Sequence, residues 1–382
     1  RAPVAAEAAH ATHVITQHEP LVPLVELASE DGLLDVHLTV DLLELAHADH
    51  LAAPRASMTW FTRAYNGALP GPLLRVQPGD RLRITLENRL GPAGNMGALN
   101  SYRDLNTTNL HTHGLHVSPA QDDVLVELLP GATSTRVYDI IADHAPGLHW
   151  YHAHKHGATN IQVQGGLAGA LLVAEPPGSV PPEIAALPEI HLAFFVMRNL
   201  DLQDQQYILD QNLPQLLQNV DPDVATYADS TDGLYGNKRT FNTADGVNIA
   251  HLYKTFFLVN GHEQPIVELS GGPDAWTRIR MAYHGTMQNN TFLRVDGCET
   301  RLIAKDGVYV NPAPRPFDYL ILMPGCRSDF LIKCGPDPGD YTWQTESFKP
   351  ILTWRVTGGD ADTSTPDEEE EDEASAETAA AA

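Results

Sequence analysis

The sequence predicts an all-β protein built from two tandem β-sandwich domains, and three observations support this fold class. Short apolar runs are separated by turns rich in Gly and Pro, a spacing typical of sandwiches rather than of βαβ units. The length of 382 residues accommodates two domains of ordinary size. Five apolar residues also alternate with mostly polar ones, as in a strand with one buried face: Leu34, Val36, Leu38, Val40 and Leu42.

The first domain is predicted to span residues 33–176, after an N-terminal extension of residues 1–32. The alternating strand at its start is followed by turn-forming residues at 65–72 and then by apolar strands at 73–76 and 81–86, with a Pro-Gly-Asp turn between them. The Pro-rich segment 177–187 is expected to be a stiff linker to the second domain.

The second domain is predicted to span residues 188–357. Its expected strands lie at 190–197, 255–259, 276–281, 292–295, 319–323 and 329–333. The polar stretch between about 200 and 250 indicates an insertion or a long loop. Residues 358–382 are rich in acidic residues and end in alanines, a composition that predicts a disordered acidic tail.

The composition excludes several functional classes. A formal net charge of -25 disfavours nucleic acid and anionic membrane surfaces as partners, and no apolar run is long enough for a membrane span. Three cysteines, Cys298, Cys326 and Cys334, have no zinc-ribbon spacing. We expect them to be buried thiols or to include one disulfide pair, and their number would leave one thiol unpaired.

Histidines cluster in one part of the chain. Of 18 histidines, eight lie between His111 and His156. Two His-x-His pairs, His111 with His113 and His152 with His154, lie in strand-like sequence, so each pair directs both imidazoles to one side. If the two strands pair, four imidazoles converge on a site suited to copper, zinc, iron or nickel. A single pair would more often be solvated strand residues, whereas two pairs favour a metal site.

The sequence around both pairs resembles the first copper-binding motifs of the multicopper oxidases, the family of laccases and bacterial copper efflux oxidases. The motifs are Asn-Leu-His-Thr-His-Gly at 109–114 and His-Trp-Tyr-His-Ala-His-Lys-His-Gly at 149–157. The resemblance continues through Gln-Pro-Gly-Asp at 77–80 and Gln-Gly-Gly-Leu-Ala-Gly at 164–169. It covers roughly residues 33 to 356 and implies cupredoxin-type Greek-key domains.

The resemblance also implies copper as the cofactor and dioxygen as the electron acceptor. In the family pattern His111 corresponds to a ligand of the type 2 copper, and His113, His152 and His154 to ligands of the coupled type 3 pair. Asp122 corresponds to an acidic residue that assists proton delivery to oxygen, or else it is a solvated loop carboxylate.

The remaining histidines nearby have weaker assignments. His116, His149 and His156 are expected to be surface or packing residues, with hydrogen bonding to the metal ligands as the alternative. His144 has no predicted role, and the aromatic residues Trp150 and Tyr151 are expected to pack within their strand.

Half of the family's ligand set is missing from this sequence. The resemblance implies a trinuclear copper cluster held by eight histidines, four of them from a further domain that also carries a type 1 copper, yet no His-Cys-His motif occurs. Three explanations stand: a third domain lost by truncation, a cluster completed between identical subunits, or a copper-binding protein without redox turnover.

The expected function is that of a copper-binding oxidoreductase of the multicopper oxidase class, secreted or extracytoplasmic, which oxidises a phenolic or metal-ion substrate with dioxygen. The alternative is a non-catalytic copper-binding or copper-sequestering protein of the cupredoxin fold. A third hypothesis is a structural scaffold used for interaction. The substrate is left open, because family specificity lies largely around the type 1 copper that this sequence lacks.

Overall fold

The computed structural model describes residues 10–48, 57–91, 103–198, 255–285, 291–346 and 348–358, and most of them lie in strands. The predicted all-β fold class is therefore confirmed. Within these ranges no helix is long and apolar enough to cross a lipid bilayer. The predicted insertion at 200–250 and almost all of the predicted acidic tail lie outside the described residues.

The described sheets form two β-sandwiches, which we name domain 1 and domain 2. Domain 1 contains β1 (Ala11–Ile15), β2 (Glu26–Ala28), β3 (Leu33–Ala48), β4 (Ser57–Tyr65), β5 (Gly71–Val76), β6 (Arg81–Asn88), β7 (His111–His113), β8 (Thr133–Asp139), β9 (Gly147–His152), α1 (Thr159–Gln164) and β10 (Ala168–Val173).

Domain 2 follows a one-turn helix, α2 (Pro182–Ala185), in the predicted linker. Its strands are β11 (Glu189–Arg198), β12 (Thr255–Val259), β13 (His262–Glu263), β14 (Ile266–Leu269), β15 (Thr277–Tyr283), β16 (Thr291–Val295), β17 (Cys298–Lys305), β18 (Val308–Tyr309), β19 (Arg315–Pro316), β20 (Leu320–Leu322), β21 (Arg327–Cys334), β22 (Gly339–Thr345) and β23 (Pro350–Val356). Each strand predicted for this domain overlaps one of them.

Neighbouring strands in the sheets of domain 1 are mostly distant in sequence, as in a sandwich with crossing connections. One sheet has the order β1-β3-β6-β8 with β4 paired to β3, and the other has the order β2-β5-β10-β9-β7. The facing sides of the two sheets share one core, which includes Val36, Leu38, Leu82 and Val173. The second sheet ends at β7, so the predicted metal-binding strand lies at a sheet edge.

Strand β3 is longer than predicted and buries both of its faces. The buried residues change from even to odd numbers after Val40. Leu34 lies in the core of domain 1, whereas Leu43 and Leu45 lie in a second cluster shared with Phe256 of domain 2. Leu42, predicted to be buried, is therefore only partly buried.

The N-terminal segment contacts both domains. Strand β1 pairs in parallel with β3, and β2 pairs in parallel with β5. Between them, Gln17 and Pro20 form bridges to Glu263 and Ile266 of domain 2. The described part of the predicted N-terminal extension therefore adds strands to domain 1 and ties the two sandwiches together.

Domain 2 is a larger sandwich with its own core. Its sheets have the orders β13-β12-β11-β15-β21-β17-β18, with β19 paired to β17, and β14-β23-β22-β16-β20. Phe194, Phe330 and Trp354 are fully buried between them. Cys298 and Cys334 face each other across β17 and β21 and form a disulfide, and Cys326 is the free thiol.

A buried ion cluster joins the end of domain 1 to domain 2. Glu175 accepts hydrogen bonds from Arg278 at 2.8 Å and from Arg280 at 2.6 Å. Arg280 also donates to Asp329 at 2.8 Å. Burial alone would raise the pKa of Glu175, but the neighbouring guanidinium groups, Arg280 first, lower it to about 2. Ion pairs thus hold the end of domain 1, just before the predicted linker, against domain 2.

We predict that Glu175→Gln lowers the free energy of unfolding by about 3 kcal/mol, because it leaves two buried arginines with less compensating charge. Urea unfolding followed by circular dichroism measures this change. Asp340→Asn is the matched control, since Asp340 pairs with Arg355 at the surface and should cost at most about 1 kcal/mol. Equal losses in the two variants would contradict the prediction.

The lowered pKa of Glu175 also fixes the sign of a pH dependence. Its stabilising effect is complete above the ordinary glutamate pKa of about 4.5 and is lost as the pH falls toward 2. The stability difference between the wild type and Glu175→Gln should therefore shrink over this range. A difference that stays constant from about pH 6 to about pH 3 would contradict this assignment.

Candidate metal centre

The centre is built on the antiparallel pairing of β7 with β9. In this register His111 lies opposite His152, and His113 lies opposite Trp150. Residues directly opposite each other in an antiparallel pair project to the same face. Thr112 and Tyr151, which alternate with them, are buried on the other side. The two predicted His-x-His segments are therefore neighbours in space.

The structure brings the four predicted histidines together. Ring nitrogens of His111, His113 and His152 all lie within 4.8 Å of one another. His154 lies just beyond the end of β9, and its ring centroid is 5.1 Å from that of His111 and 5.8 Å from that of His152. Their role as metal ligands stays a prediction. The convergence of their rings is the geometry that such a role requires.

Hydrogen bonds at one ring nitrogen leave the other nitrogen for a metal. The Nδ1 atom of His152 lies 2.8 Å from the carbonyl oxygen of Ala153, so Nδ1 carries the proton and donates it. The Nδ1 atom of His111 likewise lies 2.6 Å from the carboxylate of Asp122. In the neutral form of both rings Nε2 then holds the lone pair that a metal ion needs. The Nε2 atom of His152 lies 3.4 Å from Nδ1 of His113, so the two rings face each other across the centre.

Burial favours the neutral form of three ligand candidates, His113, His152 and His154. It lowers the pKa of His113 to about 4, with a smaller contribution from the charge of Arg327. Burial also lowers the pKa of His152 and of His154. Neutral imidazole is the form that coordinates metal ions, and the donor set fits copper.

Asp122 holds one side of the centre. Its carboxylate accepts hydrogen bonds from the His111 ring at 2.6 Å and from the Thr112 backbone N–H at 3.0 Å. Burial alone would raise the pKa of Asp122, but these bonds outweigh it and lower the pKa. A carboxylate bonded to the outer nitrogen of a ligand imidazole fixes the ring's orientation and tautomer.

Asn109 was not predicted, yet it positions the second histidine motif. Its Oδ1 atom accepts a hydrogen bond from the His154 backbone N–H at 2.7 Å. Its Nδ2 group donates to the carbonyl of Val124 at 2.7 Å. A residue at the start of the first motif therefore connects the second motif to the loop that follows Asp122.

The other histidines of this segment take different places. His144 Nε2 accepts a hydrogen bond from the His116 backbone N–H at 2.9 Å, and the His116 side chain is exposed, as is that of His156. His149 is buried, and neither of its ring nitrogens has a hydrogen-bond partner among the described residues. Among the described residues, no hydrogen bond joins His116 or His149 to the four clustered histidines.

Aromatic rings from both domains pack behind the four clustered histidines. Trp150 stacks on His152 with ring centroids 4.1 Å apart. It also stacks on His284 of domain 2, with centroids 5.3 Å apart. Trp150 does pack, as predicted, but it packs against a ligand candidate. His284 was missed because it lies far away in the sequence and belongs to no motif.

Comparison with known proteins adds independent information. Two family models, both described as multicopper oxidase, match residues 50–178 and 227–355. Copper resistance protein A of Pseudomonas syringae pv. tomato is 25% identical over 264 residues, which cover 65% of this chain and 39% of that protein. The multicopper oxidase of Staphylococcus haemolyticus is 35% identical over 115 residues, covering 30% of this chain and 22% of that protein.

Solved structures show the same fold. A multicopper oxidase from Campylobacter jejuni has a TM-score of 0.57 at 22% identity, covering 90% of this chain and 62% of its own. One from Pediococcus acidilactici has a TM-score of 0.59 at 16% identity, covering 92% and 63%. The chain thus spans less than two thirds of the length of these similar proteins.

We predict that His113→Ala weakens copper(II) binding by more than the roughly 10- to 100-fold that loss of an outer hydrogen-bond partner costs, because it removes a ligand. Competition titration against a chelator of known affinity measures the dissociation constant. His37→Ala is the matched control, since His37 is an exposed histidine of domain 1 paired with Glu87. Unchanged affinity in His113→Ala would contradict the assignment.

We also predict that Asp122→Asn weakens copper(II) binding by about tenfold, because the neutral amide holds the His111 ring less firmly. The same titration measures the effect. Asp123→Asn serves as the neighbouring control, since the Asp123 carboxylate accepts from the Leu125 backbone N–H within its own loop. Equal affinity in Asp122→Asn and Asp123→Asn would refute the positioning role of Asp122.

Proposed function

Because the chain belongs to the multicopper oxidase family, we propose that it is a copper-dependent oxidoreductase that oxidises a phenolic compound or a metal ion with dioxygen as acceptor. The observation that carries this proposal is the group of imidazoles on β7 and β9, whose nitrogens lie within 4.8 Å of one another. Copper is the cofactor that the family implies.

We assign His111 to a type 2 copper, and His113, His152 and His154 to a type 3 pair. The shared face of the two strands supports this assignment, as does the direction of the Nε2 atom of His152, which lies 3.4 Å from Nδ1 of His113. Bound copper would supply the one-electron exchange that links oxidation of the substrate to reduction of dioxygen. The protein itself holds the four imidazoles together at the edge of a sheet.

Asp122 has two roles in this proposal. It orients His111 through the hydrogen bond described above, and its carboxylate can deliver a proton to reduced oxygen. Because the pKa of Asp122 is lowered, the carboxylate is charged at neutral pH and must take up each proton before passing it on. If it delivers protons, Asp122→Asn should slow oxygen uptake by more than its loss of copper explains.

Completion of the cluster requires ligands beyond these four histidines. His154 is the most exposed residue of the four, although its ring is partly buried. On the loop that follows Asp122, Leu125, Val126 and Leu129 are exposed as well, and Leu125 reaches 86% exposure. Exposed apolar residues on a loop beside an exposed ligand candidate indicate a surface that another polypeptide covers. We propose that a second copy of this chain or a further domain of a longer protein supplies the missing ligands.

A non-catalytic copper-binding function is the second candidate. It is favoured by the compactness of the group formed by His111, His113 and His152, which can hold a single ion without further ligands. The structural scaffold used for interaction stays the third hypothesis. The convergent histidines favour a copper function over a scaffold.

An extracytoplasmic location forms part of the proposal. The disulfide between Cys298 and Cys334 supports it, because disulfides persist in oxidising compartments and are rare in the cytosol.

Copper analysis combined with oxygen uptake tests the function. After reconstitution with copper, we expect about three coppers per completed cluster and oxygen consumption with a phenol or with iron(II) or copper(I). The reaction should stop when a chelator removes the copper and resume when copper is restored. Sedimentation in parallel shows whether copies assemble around the cluster.

One copper per chain with no oxygen uptake would instead support the binding function. Absence of copper after reconstitution would contradict both copper functions and favour the scaffold.

A further inference from the structure

A buried arginine of domain 2 reaches the candidate metal centre of domain 1. Arg327 begins β21, and its side chain is only 6% exposed. Its Nε group donates to the carbonyl of Leu148 in β9 at 3.2 Å. The guanidinium group therefore crosses the domain interface and lies against the strand that carries His152.

Two glycines, Gly114 and Gly325, lie between Arg327 and His113, and their lack of side chains lets the two residues approach each other. A Cβ atom on Gly114, the residue after His113, would lie 2.7 Å from Arg327 Nη2, so a side chain there would displace the guanidinium group. Arg327 Nη1 donates to the carbonyl of Gly325 at 2.9 Å. A Cβ atom on Gly325 would in turn lie 3.3 Å from Cε1 of His113.

The charge of Arg327 is only partly compensated. Its hydrogen-bond acceptors are backbone carbonyls, of Leu148, Gly325 and Asp306. The carboxylate of Asp306 is 3.6 Å away, and that side chain is 47% exposed. The same Cβ atom on Gly114 would lie 2.6 Å from the buried ring of His149, which burial first and Arg327 second keep neutral by lowering its pKa to about 3. A charge in such surroundings is weakly screened.

We propose that the positive charge of Arg327 tunes the copper held by His113. It disfavours copper(II) relative to copper(I). This inference rests on the proposed copper function. A fixed positive charge repels a doubly charged ion about twice as strongly as a singly charged one. Domain 2 thereby raises the reduction potential of a metal whose ligands lie in domain 1.

The test measures the dissociation constants of copper(II) and copper(I) for the full chain by chelator competition. For Arg327→Met we expect copper(II) to bind about tenfold more tightly and copper(I) about threefold more tightly. The ratio of the two dissociation constants then changes about threefold. At 59 mV per tenfold change for one electron, the copper(II)/copper(I) reduction potential falls by about 30 mV. Arg327→Lys, which keeps the charge, should stay within about twofold of the wild type.

The sign of the effect separates tuning from a structural role. Loss of a merely structural residue would loosen the centre and weaken copper(II) binding, which would overturn the proposal. Arg355→Met is the control for net charge, because Arg355 pairs with Asp340 at the surface and should leave both constants unchanged. An equal change in Arg355→Met would also overturn the proposal.

A second variant decides the question if Arg327→Met does not fold. Asp306→Asn removes the nearby negative charge but keeps an oxygen for the Arg327 backbone N–H, which donates to the Asp306 carboxylate at 2.9 Å. Copper(II) should then bind about threefold more weakly and copper(I) less than about twofold more weakly. Equal weakening of both ions, as expected from a loosened centre, or unchanged binding of both would refute the tuning role. Failure of the wild type to bind copper would contradict the proposed function itself.

Discussion

The register between β7 and β9 is the constraint on which the site depends. With His111 opposite His152, the ligand candidates share one face while Thr112 and Tyr151 face the core. A slip of one residue would turn one set of imidazoles into the sandwich. The Tyr151 hydroxyl opposes such a slip, because it donates to the carbonyl of Pro72 at 2.8 Å inside the core. Packing on one face thus fixes chemistry on the other.

Domain 2 contributes to the centre although its sequence carries no metal motif. His284 stacks on Trp150, and Arg327 bonds to the backbone of β9. Part of the interface that brings them there is apolar, with Leu43 and Leu45 of β3 packed with Phe256. A strand that buries both faces therefore connects domain stability to the geometry of the histidines.

The sequence predicted the parts of this structure that depend on local patterns. Alternation located the first half of β3, and the two His-x-His pairs located the ligand candidates, because strand geometry translates spacing directly into direction. Local patterns could not predict that β3 continues with its opposite face buried, since that depends on a second domain. They also missed Asn109, His284 and Arg327, whose roles arise from contacts between segments distant in sequence, and they left the pairing of Cys298 with Cys334 open.

The most direct test of the central claim is X-ray absorption spectroscopy at the copper edge of the reconstituted protein. We expect a first shell of nitrogen and oxygen with the outer-shell scattering of at least two imidazoles per copper, because the ring nitrogens converge within 4.8 Å. A shell of oxygen ligands without imidazole scattering would contradict the claim that β7 and β9 together form a copper site.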